Sequence, residues 1–170
     1  GEYINQTPFQ TITATLPGFL KDSLLSVPGA KYLYSSFGFN LLGAVLEAAA
    51  SRSFDELLRS EVVVPLRLQH TSLEPSGRLA AGEAEPFTLD SLGNPRPSIA
   101  QDLSDRWPSG GVVASAEDLV RFALGTFSID YLPDSARRLL LTSQRTGGGA
   151  ITRVGLGWRI AEDSLARPYL

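Results

Sequence analysis

Apolar and polar residues recur along this chain with a period that changes from segment to segment. Between residues 36 and 50, Phe39, Leu42, Val45, Leu46 and Ala49 share one face at helical spacing, which predicts an amphipathic helix with that face inward. Ser35 or Ser36 stands where its N-cap belongs, and Ala48-Ala49-Ala50 favours helix on propensity alone. Ser53 with Glu56 three residues on has capping-box spacing and predicts a second helix over 54–62, ending before Pro65. The link between the two is very short, so they are expected to pack as neighbours. Ser115 and Asp118 repeat the capping spacing for a helix over 116–124, with Leu119, Phe122 and Ala123 inward. Pro133 suits the first turn of a further helix over 134–142, where Arg137 and Arg138 complement the dipole toward the C-terminal end.

The remaining segments carry weaker patterns. Residues 1–27 are the least regular; Pro17-Gly18 is a breaker pair, and 19–25 read as a short helix. Pro28-Gly29 reads as a turn, followed by extended Tyr32-Leu33-Tyr34. Residues 66–108 are irregular, with Pro75, Pro86, Pro95, Pro97 and Pro108, and contain two short candidate strands, Ser72-Leu73-Glu74 and Phe87-Thr88-Leu89. A loop of that length in a compact domain is often functional. Gly147-Gly148-Gly149 reads as a flexible connector, and 151–160 as a strand around Gly155-Leu156-Gly157-Trp158.

Composition narrows the chemistry. At 170 residues, with 43% hydrophobic and 19% charged, the chain reads as one globular domain able to bury a core without staples. The absence of Cys excludes disulfides and thiolate metal sites, and a single His excludes a multi-histidine centre. A net charge of −3 is no footprint of a nucleic-acid binder, and the longest apolar runs fall far short of a membrane span. The chain begins at Gly1 and contains no Met, which reads as a processed or recombinant product or as part of a longer chain.

Residues 28–43 run Pro28-Gly29-Ala30-Lys31-Tyr32-Leu33-Tyr34-Ser35-Ser36-Phe37-Gly38-Phe39-Asn40-Leu41-Leu42-Gly43. This segment resembles the Pro-Gly…Tyr-Ser-Asn…Gly-Tyr…Leu-Leu-Gly stretch of the serine β-lactamase-like hydrolases. That family includes class C β-lactamases, penicillin-binding esterases and D-aminopeptidases, and the mitochondrial β-lactamase-like protein. Three further segments resemble the family in the same order: 54–71, ending Pro65-Leu66-Arg67-Leu68-Gln69-His70-Thr71; Ser109-Gly110-Gly111-Val112-Val113-Ala114-Ser115-Ala116-Glu117-Asp118-Leu119; and Gly155-Leu156-Gly157-Trp158. The resemblance covers about residues 28–160. It implies an α+β, β-lactamase/transpeptidase-like fold, mostly the helical subdomain plus part of the antiparallel sheet.

The chemistry so implied is acyl transfer through a serine ester. A serine hydroxyl needs a neighbouring base to take its proton. In the family that pairing is Ser-x-x-Lys, one helical turn apart, helped by the tyrosine of a Tyr-x-Asn motif and faced by a Lys-Thr-Gly or His-x-Gly strand. By resemblance Tyr34 is the catalytic proton shuttle, and Ser36, in the Asn position, and Gly110 and Gly111 contact substrate. Each has a structural alternative: a Tyr34 buried under the following helix, a Ser36 that only caps it, and glycines that only allow close backbone approach. Ser36 also departs from the family pattern, since Ser reaches less far than Asn and lacks its amide donor.

No Ser-x-x-Lys, Lys-Thr-Gly or His-x-Gly occurs in the chain; Gly18 and Pro28 stand three residues before Lys21 and Lys31. The expectation is therefore that 1–170 is the central part of a single β-lactamase-like domain, with the nucleophile segment upstream and the last active-site strand downstream. The intact protein would hydrolyse an amide, ester or β-lactam; this segment alone would be inactive. The alternative is a non-catalytic relative that binds peptide or assembles with partners. Expected partners are a small-molecule or peptide substrate and the remaining segments of the same domain, with no metal, cofactor, nucleic acid or membrane span. Family members are often exported, one branch is mitochondrial and others are cytosolic, so no compartment is assigned and an extracytoplasmic one is favoured.

His70 in its Pro-rich loop, the Glu83 and Glu85 pair and the glycine run at 147–149 give no comparable site. The last lacks the Lys-Ser/Thr of a phosphate loop.

Overall fold

The computed structural model describes residues 7–74, 82–99, 101–162 and the backbone of 168–169. Of the stretch 66–108 read as irregular, residues 75–81 and 100 lie outside the described residues. The chain opens with a 3₁₀ helix, Ile12–Gly18, whose N-cap Thr11 accepts the Ala14 amide. The expected helix at 19–25 does not form. The Pro17-Gly18 pair instead ends the 3₁₀ helix, and Phe19 leaves it to stack on Phe37 with ring centroids 4.7 Å apart.

Helix α1 spans Ser36–Ala50, as the periodicity predicts. Ser35 is its N-cap and accepts the Gly38 amide at 3.3 Å, and Ser51 ends it in a left-handed conformation, φ 53°. Helix α2, Phe54–Leu57, carries the full reciprocal capping box: Ser53 Oγ accepts the Glu56 amide and the Glu56 carboxylate accepts the Ser53 amide. It continues as wider π turns over Leu58–Val63, a loosening that the helical period does not reveal.

Within this chain, α1 packs through the face opposite the apolar stripe expected to turn inward. Phe39, Leu42, Val45 and Leu46 are all exposed, whereas Asn40, Gly43 and Ala44 are buried. The cause is steric: a Cβ on Gly43 would strike the Pro108 ring and lie 3.5 Å from Ile12 Cγ2, so only a small-residue face admits both neighbours. Glu47, on the same side, ties the flanking elements together. It accepts the Ile12 amide at 3.0 Å and the Phe54 amide at 2.9 Å.

Among the described residues, three two-stranded antiparallel sheets complete the fold. Strand β1 (Thr71–Leu73) pairs with β4 (Val112–Ala114), Ser72 opposite Val113. Strands β2 (Phe87–Leu89) and β3 (Pro95–Pro97) form a hairpin whose turn is organised by Asp90, which accepts the Leu92 and Asn94 amides at 2.9 Å each. Strands β5 (Ala161–Glu162) and β6 (Pro168–Tyr169) pair near the end of the chain.

Between β3 and β4 in the chain lies the short helix α3, Trp107–Gly110; helices α4, Ala116–Phe127, and α5, Asp134–Leu141, follow β4. On α4, Phe122 and Ala123 are partly covered as expected, but Leu119 is 59% exposed, because the inward position of the first turn is taken by Asp118. Residues 151–160 are not a continuous strand. Val154 bridges Arg159 across a turn in which Gly157 has φ 84°, and the Trp158 ring lies beside Phe122 and Phe127. The run 147–149 is no loose connector either: it closes a tight turn, Gly149 N–H to the Thr146 carbonyl at 2.9 Å, and docks through the Gly147 amide on the Gly29 carbonyl at 2.8 Å.

Among the described residues only Ile12, Ala44 and Leu68 are buried apolar side chains, against five buried polar ones: Asn40, Asp102, Ser104, Asp118 and Thr126. Side-chain hydrogen bonds therefore join these elements alongside apolar contacts such as Phe19–Phe37 and Trp158–Phe122. No helix among the described residues is long and apolar enough to cross a membrane.

Candidate active site

Tyr34 is the last but one residue before α1, directly ahead of the extended Ser35 cap. It is 61% exposed, with its ring tilted against Phe39 at 6.0 Å between centroids. A tyrosine buried under the helix is thus not what the structure has. Ser36 is the first residue of α1, and the capping hydroxyl belongs to Ser35. Pro28-Gly29 forms the expected turn, with Gly29 at φ 79° and the Ala30 amide on the Val27 carbonyl.

Gly110 and Gly111 close α3. The place a Gly110 Cβ would take is open, whereas one on Gly111 would lie 2.7 Å from Trp107 Cδ1 and 3.1 Å from the Leu103 carbonyl oxygen. Gly111 is required by packing, and its carbonyl accepts the Glu74 amide at 2.8 Å, extending the β1–β4 ladder. The Glu74 carboxyl is pushed up from its ordinary value by burial and by the neighbouring Glu83.

The two motif segments meet along a seam between α1 and α3. Asn40 Nδ2 donates to the Asp105 carbonyl at 2.6 Å, and Pro108 lies on Gly43. Neither contact was singled out from sequence. The available signal was the polar and small run Asn40, Gly43, Ala44 at helical spacing opposite the apolar stripe.

In the sequence Asp118 has a local capping role and a place in the segment 109–119 that resembles the family, but no long-range partner. Ser115 Oγ does accept the Asp118 amide at 3.2 Å. The carboxylate, however, reaches across to the segment before β1, accepting the His70 amide at 2.7 Å, the Thr71 hydroxyl at 2.8 Å and the Gln69 amide at 3.2 Å. Burial pushes this carboxyl up, but the Thr71, His70 and Gln69 donors outweigh it and hold it below the usual carboxylate range. Asp118 thereby sets the start of β1, and through the β1–β4 pairing the strand that follows Gly111.

These elements define an α+β scaffold in which a capped helix displays an exposed tyrosine and is bound to a glycine-ended turn. The sequence profile of the β-lactamase family matches residues 11–169, and the chain belongs to that family, one of serine hydrolases. It is 32% identical over 119 residues to penicillin-binding protein 4 of Amycolatopsis lactamdurans, covering 68% of this chain and 31% of that protein. It is 25% identical over 122 residues to the mitochondrial serine β-lactamase-like protein LACTB of Mus musculus, covering 72% of this chain and 22% of that one. The chain thus spans about a third or less of these curated relatives' length. Its fold is the β-lactamase/transpeptidase-like fold: it superposes on the penicillin-binding protein from Bacillus halodurans with a TM-score of 0.81 and 21% identity, over 97% of this chain and 51% of that one.

Proposed function

We propose that this chain is the central part of a single β-lactamase-like domain whose complete form hydrolyses an amide, ester or β-lactam through an acyl-serine. The observation that carries the reading is that Tyr34, at the head of α1, is not buried by the described residues, with α1 bound to the segment that ends in Gly110-Gly111. A proton-transfer group must be reachable by substrate, and a buried phenol is not.

In this reading a Ser-x-x-Lys pair outside these residues supplies the nucleophile. The serine oxygen attacks the substrate carbonyl, and its proton passes by way of Tyr34 to the departing amine or alcohol as the carbonyl–leaving-group bond breaks. Water then attacks the acyl-serine, gives its proton back toward the serine oxygen, and releases the acid. Ser36 and the open side of Gly110 face the substrate; Gly111 holds the backbone beside it. No metal or organic cofactor takes part. A location outside the cytoplasm belongs to the same reading, by likeness to exported family members.

Two features support the part-of-a-domain reading. The apolar stripe of α1 is exposed, although burying apolar surface is what ordinarily stabilises such a helix. The chain also spans only 31% and 22% of the two relatives described above.

Labelling with a fluorescent penicillin and a fluorophosphonate tests the proposal. The 170-residue chain is expected to stay unlabelled, and a longer protein carrying it together with a Ser-x-x-Lys is expected to label. Stoichiometric label on the 170-residue chain overturns the part-of-a-domain reading. A longer protein that binds peptide without labelling overturns the enzymatic one in favour of a non-catalytic binder.

A further inference from the structure

The seam between α1 and α3 consists of two contacts in register. Asn40 meets Asp105, and three residues further along both segments Gly43 meets Pro108. One turn of α1 is thereby matched to the stretch leading into α3. The two contacts differ in kind: packing of a proline ring on a glycine tolerates sliding, whereas a hydrogen bond of 2.6 Å has a direction and a length.

We propose that Asn40 is a positioning residue, which through its bond to the Asp105 carbonyl fixes Tyr34 relative to the Gly110-Gly111 turn. The inference rests on the catalytic reading of Tyr34 given above. Asn40 is 3% exposed and lies little more than one helical turn beyond Ser36. Its Oδ1 is buried with no hydrogen-bond partner among the described residues. A buried amide loses more on leaving water than an apolar side chain of its size, so stability alone does not call for one here. What it adds over an apolar side chain is the single directed bond from Nδ2. A displacement of about 1 Å between reacting groups costs on the order of 10²-fold in rate, so a device that sets this distance acts on turnover without touching substrate.

The test uses the longer protein that carries this segment with a Ser-x-x-Lys, labelled by a fluorophosphonate. The end-point of labelling counts competent sites, and the rate at saturating probe reads their geometry. Asn40→Ala is expected to reach the native end-point at a rate roughly 10-fold or more slower. Gly43→Ala, which pushes Pro108 away without changing any polar group, is expected to slow labelling likewise. Adding Pro108→Ala to Gly43→Ala restores the space and is expected to recover most of the rate. The Gly43 pair decides the question even if Asn40→Ala does not fold. A lower end-point with the native rate in the labelled remainder marks a merely structural role and overturns the inference, as does a native rate in Gly43→Ala. A native protein that does not label overturns the catalytic reading and this inference with it.

Discussion

The Asp118 carboxylate accepts the His70 amide at 2.7 Å from 48 residues further along the chain, and the Thr71 hydroxyl at 2.8 Å with the same oxygen. This one carboxylate joins the first turn of α4 to the entry of β1. The β-ladder that follows Gly111 therefore starts from a charged hydrogen-bonded anchor.

Asp118→Asn is expected to lower the thermal midpoint at neutral pH by roughly 5 °C or more, because an amide cannot accept all three donors. The pH dependence follows from the direction of the shift. The folded-state pKa of Asp118 is depressed, so its contribution is present above the unfolded value of about 3.9 and is lost as pH falls through the folded one. Midpoints of the native chain and Asp118→Asn are thus expected to converge in acid. A gap that stays constant from neutral pH down to about pH 2 rules out the carboxylate as its source.

Replacing Tyr34 by Phe in the longer protein is expected to cut turnover by about 10²-fold or more, the scale of losing a general acid–base group. Folding should be unaffected, since the ring contact with Phe39 does not use the hydroxyl. Steady-state kinetics on an activated ester checks this, and native turnover in Tyr34→Phe makes Tyr34 a bystander.

Ser36→Asn separates two roles that the sequence left entangled. The cap of α1 is Ser35, so changing Ser36 does not remove a cap. Asn at this position adds reach and a second kind of donor. The expected result is an altered ranking of amide, ester and β-lactam substrates, read as relative kcat/KM. An unchanged ranking removes Ser36 from the substrate side.

The starts of α1, α2 and α4 were legible in the sequence, because short polar side chains at Ser35, Ser53 and Ser115 satisfy amides a few residues away; those of the 3₁₀ helix and of α3 were not. The position of Tyr34 just ahead of α1 was legible for the same reason, but its exposure was not. Which face of α1 packs was not. Periodicity marks the stripe Phe39, Leu42, Val45 and Leu46, but the neighbours seated on α1 are chosen by the room at Gly43 and by the bond from Asn40. Long-range side-chain work was equally invisible. Asp118 has the spacing of a local cap, and only the return of the segment at 69–71 reveals that its carboxylate is used elsewhere.

Glu47 offers a direct check that hydrogen bonds hold this chain's inner face. Its two oxygens accept amides from two different elements packed on α1: Ile12 at 3.0 Å, at the start of the 3₁₀ helix, and Phe54 at 2.9 Å, at the start of α2. Glu47→Gln keeps the shape but turns one acceptor into a donor facing an N–H. That leaves one amide without its partner, and Ile12 is fully buried. A lost bond to a charged group, with the orphaned donor, costs about 2 kcal/mol. Urea denaturation of Glu47→Gln is expected to show that loss with an unchanged slope, since the surface exposed on unfolding is the same. Hydrogen exchange adds the residue-level readout: the Ile12 or the Phe54 amide should lose protection, while that of Gly38, held by Ser35, should not. If both amides keep native protection in Glu47→Gln, the two elements are held by packing alone, and the carboxylate bridge contributes nothing.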